Sequence, residues 1–156
     1  MLKQQYGYGC GMYAVANALN MPGFATDERL KESKKGNNIG QLSNWLFKDG
    51  HDVWIDTLKY TGRPTTLPKI EVALAENVVY WPALISIPLA RGRNHMIALK
   101  VTNECRSSKA VEVLDSLLDE PIYLADWNEV KEIYPKVYGF FCFRDFNNQD
   151  IFFIRE

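Results

Sequence analysis

The order of the hydrophobic patterns limits the fold more than any other feature of this chain. Patterns typical of helices fill the first half, and patterns typical of strands fill the second. Residues 11–19 are rich in alanine and stop at a proline–glycine pair, as helices often do. Thr26 followed by two acids predicts the start of a second helix, which Gly36 would end. Residues 39–48 predict a third helix. Its expected buried face consists of Leu42, Trp45 and Leu46.

Runs of β-branched or alternating residues, separated by polar loops, follow these helices. Residues 53–55 predict a short strand, and residues 67–76 predict one further helix before the main strand region. The expected strands of the second half are residues 78–87, 95–102, 110–114, 138–144 and 151–155, with a helix over 125–133. Helices first and an antiparallel sheet after them indicate an α+β fold.

Composition indicates one globular domain over residues 1–156, because 47% of the residues are hydrophobic and no linker or repeat interrupts the chain. The formal net charge is -1, without a basic stripe, so we expect neither nucleic acid nor a membrane surface as a partner. No apolar run has the length of a membrane span, and the first residues do not resemble a signal peptide.

The chain has 3 cysteines, widely spaced, and only 2 histidines. This set argues against a disulfide framework and against structural zinc, and nothing in the sequence requires a metal or an organic cofactor. We therefore expect a reducing, cytoplasmic setting. Cys105 is expected to be an exposed loop thiol and Cys142 an inert core residue.

Cys10 is the candidate nucleophile. It lies where a glycine-rich segment, residues 7–11, runs into the first helix. The free N–H groups and the positive end of a helix N-terminus favour a thiolate at such a position. Gly7 and Gly9 before Cys10 would also let an extended substrate approach the sulfur closely.

A thiolate nucleophile needs a base, and His95 and His51 are the two candidates. His95 opens a strand with an apolar interior, where a polar residue would lie at the edge of the core. A histidine in that position can also be a hydrogen-bonded packing residue. His51 lies in a turn after a helix and is expected to be a solvated turn residue.

Asp115 is the expected group that orients the imidazole. It ends the strand after that of His95, so an antiparallel hairpin would bring the two side chains together. Taken alone, Asp115 could simply begin a turn. Asp119 and Asn103 are weaker candidates for the same role.

The oxyanion that forms during acyl transfer needs hydrogen-bond donors. Gln4 and Gln5 both lie a few residues before Cys10, and either amide could donate. The spacing of Gln4 suits a segment that folds back over a helix start, so we favour Gln4. The main-chain N–H of Cys10 is the expected second donor.

The chain resembles the papain-like cysteine peptidases in the order of its candidate residues. A Gln-x5-Cys-Gly motif begins at Gln4, His95 follows at the start of a strand, and Asp115 follows at the end of the next strand. The pattern is most similar to the double-glycine peptidase family that trims bacteriocin leaders. The resemblance covers about residues 4–115 and implies a papain-like fold, with the nucleophile at a helix start packed on the C-terminal sheet. Two positions depart from the family pattern: Gly9, where an acid is usual, and Ser116, where proline is usual.

The leading hypothesis is a cysteine protease that hydrolyses a peptide or isopeptide bond through a thioester on Cys10. Its substrate would be a protein or peptide, for example a glycine-ended tail or a ubiquitin-like conjugate. Two alternatives stay open: acyl transfer to an amine by the same residues, and an inactive papain-like module that binds and inhibits a partner protein. The loops over residues 59–66 and 89–94 are the expected substrate contacts.

Overall fold

The structure is a computed structural model of the chain, and it describes residues 1–65, 82–101 and 111–145. The helix expected over 67–76 and the strand expected over 151–155 lie outside these ranges. Within them the chain forms four α-helices: α1 (Cys10–Ala18), α2 (Asp27–Glu32), α3 (Ile39–Lys48) and α4 (Trp127–Ile133). No helix within the described ranges combines the length and the apolar composition needed to cross a membrane.

The described strands are β1 (Val53–Thr65), β2 (Ala83–Pro88), β3 (Asn94–Val101), β4 (Val111–Leu114), β5 (Ile122–Leu124) and β6 (Val137–Asp145). In the described ranges these six strands form one sheet in the order β1-β6-β2-β3-β4-β5, and every neighbouring pair is antiparallel. Three helices therefore precede the whole sheet, which confirms the α+β class and the helix-first order.

Each face of the sheet has its own apolar core, because successive side chains of a strand point to opposite faces. On one face Leu84, Met96 and Ala98 pack with α1 and α3. On the other face Ile85 and Ile97 pack with Trp127 and α4. This division holds the N-terminus of α1 against the middle of the sheet, next to the start of β3.

The helix predictions hold with small changes in their bounds. Ile39–Lys48 is a helix as expected, and the Thr26 side chain accepts a hydrogen bond from the Arg29 N–H, as an N-cap does. The second helix ends at Glu32 instead of reaching Gly36. Ser33 leaves the helical pattern there, and the Gly36 N–H donates to the Ser33 carbonyl, which makes a turn.

Two strand predictions were wrong. The strand expected over residues 53–55 continues as β1 to Thr65, because β6 pairs with it from Val53 to Tyr60 and again at Thr65, with register shifts after Thr57 and after Tyr60. Residues 59–65 are therefore strand and not loop. The prediction also missed β5, whose three residues are too few to show an alternating pattern.

Candidate active site

The N-terminus of α1 is capped from another part of the chain. Gly9 occupies the N-cap position with φ +89, a left-handed conformation that glycine adopts easily, and it has no side chain with which to cap the helix. The Asn37 Oδ1 atom accepts the Met12 N–H at 3.0 Å instead. This bond satisfies one of the free donors of the first turn and leaves the Cys10 and Gly11 N–H groups available.

Asn37 holds this position through further contacts. Its Nδ2 donates to the Ser33 hydroxyl and to the Gln41 side chain, both at 2.8 Å. Gly11 allows the close approach, because a Cβ at that residue would lie 2.9 Å from the Asn37 Cβ. The turn before α3 is thereby fixed against the residue that follows Cys10.

The Cys10 thiol lies among groups that stabilise its anion. Burial alone would raise the pKa of Cys10, but a hydrogen bond to His95 lowers it, as do the main-chain N–H of Met96, the His95 charge and the Gly11 N–H. The net pKa is below the ordinary value for a thiol. These are the features of a cysteine that ionises readily.

His95 lies between Asp115 and Cys10, and 2% of it is exposed. Its Nε2 atom lies 2.7 Å from Asp115 Oδ1, which leaves Nδ1 for the hydrogen bond to the thiol. Burial alone would lower the pKa of His95, but the hydrogen bonds and charges of Asp115 and Cys10 raise it to about 9. Because each ring nitrogen faces a hydrogen-bond acceptor, the carboxylate of Asp115 or the sulfur of Cys10, the doubly protonated imidazolium is the favoured form.

Strand pairing explains why Asp115 meets the imidazole. Leu114, the last residue of β4, pairs with Ala98 in the antiparallel β3–β4 ladder, so the residue that follows β4 comes near the start of β3. Burial would raise the pKa of Asp115, but His95 and the Leu117 N–H, which donates to the carboxylate at 3.0 Å, lower it overall. The juxtaposition of His95 and Asp115 expected from the hairpin is confirmed.

Gln4 joins this arrangement through Ser116. The Ser116 hydroxyl donates to Gln4 Oε1 at 2.6 Å, and the Gln4 N–H donates to the Ser116 carbonyl at 2.8 Å. Gln4 Nε2 donates one hydrogen to the Tyr6 carbonyl at 2.7 Å. The amide nitrogen has a second hydrogen, which this bond does not use. Among the described residues Gln4 makes no hydrogen bond to Cys10 or His95. Gln4 is buried, whereas Gln5 is exposed.

The weaker candidates lie away from this cluster. Asp119 forms an exposed ion pair with Lys3. His51 follows α3 in a turn, where its N–H donates to the Leu46 carbonyl. Cys142 is fully buried in β6, as expected of a core residue. The predictions for Asn103 and Cys105 lie outside the described residues.

A cleft of about 690 Å³ opens above the thiol, and Cys10 forms part of its wall. One side is the glycine-rich segment before α1, and the opposite side is the turn between α2 and α3. The floor is the sheet. The lining residues on the sheet are Thr57, Tyr60, Ser86, Asn94, Met96 and Phe141. Tyr60 and Asn94 come from the two segments that the sequence predicted as substrate contacts.

Three parts of the site were missed by the sequence reasoning: the Asn37 side chain, the Ser116 hydroxyl and the Met96 N–H. Asn37-Asn38 before an apolar run is a visible capping signal, but it predicts a cap for α3, which Asn38 provides. Nothing local links Asn37 to α1. Ser116 was noted only as a departure from a family pattern, and a main-chain donor has no sequence signal at all.

No protein-family model matches the chain, and no curated protein sequence is significantly similar to it. The functional argument therefore depends on the geometry of the site. Within the described ranges no three His, Cys, Asp or Glu side chains converge in a way that could hold a metal ion.

Replacing Asn37 by alanine should weaken both the fold and the thiolate. The change removes the cap of α1, so we expect the free energy of unfolding to fall by about 1 kcal/mol. The first turn then holds the Gly11 N–H less firmly against the sulfur. Alkylation of Cys10, followed by mass spectrometry as a function of pH, should show its midpoint moved upward.

Asn38→Ala is the matched control, because Asn38 caps α3 by accepting the Gln41 N–H at 2.8 Å. It should cost a similar free energy of unfolding and leave the alkylation midpoint of Cys10 unchanged. Equal midpoint shifts in the two variants would show that the cap of α1 has no particular connection with the thiolate.

Proposed function

We propose that this protein is a cysteine peptidase that hydrolyses a peptide or isopeptide bond through a Cys10–His95–Asp115 triad in a papain-like fold. The observation that carries the proposal is the hydrogen-bonded series from Asp115 through a buried imidazole to a thiol with a lowered pKa, at the wall of an open cleft. A residue with a merely structural role has no need of this combination of ionisation and access.

In the proposed mechanism the Cys10 thiolate attacks the carbonyl carbon of the scissile bond. The oxygen becomes negatively charged, and the Cys10 N–H and the second hydrogen of Gln4 Nε2 are its proposed donors. The His95 imidazolium then gives its proton to the leaving amine, and the C–N bond breaks. A thioester between Cys10 and the acyl half of the substrate is left.

Deacylation reverses the role of His95. The neutral imidazole takes a proton from water, and the resulting hydroxide attacks the thioester carbon. The C–S bond breaks, the acid is released, and the thiolate–imidazolium pair forms again. Asp115 keeps Nε2 protonated throughout, so that Nδ1 always faces the sulfur.

The lowered pKa of Cys10 and the raised pKa of His95 support this assignment over an inactive module. An imidazolium–thiolate pair stores one proton where the leaving amine needs it. A binding module with the same fold would gain nothing from keeping that pair charged within a buried site.

Peptide cleavage by the protein should depend on Cys10 and His95. The assay uses a proteome-derived peptide library with blocked amines, in which mass spectrometry detects every new amino terminus. The native protein should produce new termini, and Cys10→Ala and His95→Ala should produce none, because each loses the nucleophile or the proton donor. His51→Ala is the control and should cleave like the native protein. New termini that persist in Cys10→Ala would contradict the proposal.

The two glutamines offer a direct test of the oxyanion assignment. Gln4→Ala should lower kcat on a peptide found in the library about 10²–10³-fold with little change in KM, since the donor acts on the charge that forms during reaction. Gln5→Ala, which alters an exposed neighbour, should leave kcat unchanged. Thermal unfolding of both variants shows whether any loss comes from the fold, and unchanged kcat in a folded Gln4→Ala would remove Gln4 from the mechanism.

A further inference from the structure

Apart from the Cys10 thiolate, the charged side chains among the described residues that line the cleft are two lysines. Lys34 and Lys35 are in the lining, whereas no aspartate or glutamate of the described residues is. Both lysines are exposed, and neither forms an ion pair with a described carboxylate. The Cys10 thiolate is paired with the His95 imidazolium, so the two lysines give the cleft an excess of positive charge, and a cleft concentrates the field of such an excess. The chain as a whole has a formal net charge of -1, so this positive field is local.

The main chain of the lysine pair is fixed with respect to the thiol. The two lysines are the central residues of a turn that the Gly36 N–H closes by donating to the Ser33 carbonyl at 2.9 Å. Asn37 then connects this turn to the first turn of α1 through the Met12 N–H. The two ammonium groups therefore extend from a segment that is bonded directly to the helix of the nucleophile.

The same cleft contains a buried hydroxyl that has no partner among the described residues. Ser86 lies on β2, 6% of it is exposed, and it lines the cleft. It pairs in register with Met96, whose N–H faces the sulfur. The Ser86 hydroxyl makes no hydrogen bond to any described residue, and a buried hydroxyl without a partner is unfavourable. A polar group of a bound molecule would satisfy it.

Besides Ser86, the floor has two exposed polar residues, Thr57 and Asn94, and its other residues are apolar or aromatic. Met96 and Phe141 are buried there, and the Tyr60 ring lies over Gly139, where an added Cβ would be 3.0 Å from it. A floor of this kind suits the main chain and carbon atoms of a peptide better than a bare phosphate or a nucleic-acid backbone. Among the described polar residues of this floor Ser86 is the buried one, and the two lysines add the positive charge.

We infer that the cleft selects peptides with acidic side chains near the scissile bond. The peptide main chain hydrogen-bonds to Ser86, and one or two substrate carboxylates face Lys34 and Lys35. This inference rests on the proposed peptidase function and adds a substrate class to it.

The test compares short synthetic peptide pools that are alike except at one position, which holds Glu in one pool and Gln in the other. That position is moved along the peptide. The native protein should have a kcat/KM about threefold to tenfold higher for the Glu pool at positions that face the lysines, because exposed charge pairs are individually weak. Added salt should remove this preference.

A double variant with Lys34→Gln and Lys35→Gln should cleave Glu and Gln pools equally. The control carries Lys31→Gln and Lys48→Gln, two exposed lysines outside the lining, and so has the same net charge. It should keep the preference. Equal cleavage of the two pools by the native protein at every position would overturn the inference. A preference for Glu that survives Lys34→Gln with Lys35→Gln would also overturn it, and so would a preference that the control loses to the same extent.

Ser86→Ala tests the hydroxyl separately. It should lower kcat/KM by the same factor, about threefold to tenfold, for Glu and Gln pools, since the main chain is common to both. Stability to urea should be unchanged or higher, because the variant removes a buried hydroxyl that no described residue satisfies. Unchanged kcat/KM, or a drop that merely follows a loss of stability, would remove Ser86 from the inference.

A binding measurement separates failure of the inference from failure of the proposed function. Fluorescence polarisation with labelled Glu and Gln pools on Cys10→Ala needs no turnover. Tighter binding of a Glu pool would support the acidic preference if the difference disappears when Lys34→Gln and Lys35→Gln are added to Cys10→Ala. This holds even if the native protein cleaves neither pool, because absent cleavage counts only against the peptidase function. Equal binding of both pools at every position would overturn the preference whether or not cleavage occurs.

Discussion

The imidazole of His95 connects the two halves of the molecule. It bonds to Asp115 at the end of β4 on one side and to Cys10 at the start of α1 on the other, and it is almost completely buried. A buried charge is tolerated only when its partners are in place, because desolvation otherwise costs several kcal/mol. The sheet must therefore bring β3 and β4 into register, and α1 must pack on the sheet, before this ring has both acceptors.

The opposite pKa shifts at Cys10 and His95 define the pH range of the ion pair. The thiolate forms above the lowered pKa of Cys10, and the imidazolium persists until the pKa of His95, about 9. His95 binds its proton more tightly in the folded chain than its ordinary value of 6.5 allows. That proton therefore stabilises the fold fully below 6.5, and its contribution is lost as the pH rises through about 9. Asp115, with a lowered pKa, contributes above its ordinary value and loses its contribution as the pH falls.

Much of the fold and the core of the site could be predicted, because their signals are local. The N-cap at Thr26, the bounds of α3 and the hairpin that joins His95 to Asp115 all depend on neighbours in sequence or on one turn. Asn37 and Ser116 could not be found in that way. Asn37 reaches Met12 across 25 positions and Ser116 reaches Gln4 across 112, so only the packed fold brings these atoms together. The length of β1 was missed for the same reason, since its hydrogen bonds come from β6 near the other end of the chain.

The central claim is that a charged pair, and not a neutral thiol beside a neutral imidazole, occupies the wall of the cleft. An NMR titration of the His95 side chain tests it most directly, with the native protein compared with Cys10→Ala. The account predicts that native His95 keeps its imidazolium proton up to a pH of about 9, and that the pKa falls when the sulfur is removed. A native imidazole that loses its proton near its unperturbed pKa of about 6.5, with the same value in Cys10→Ala, would contradict it.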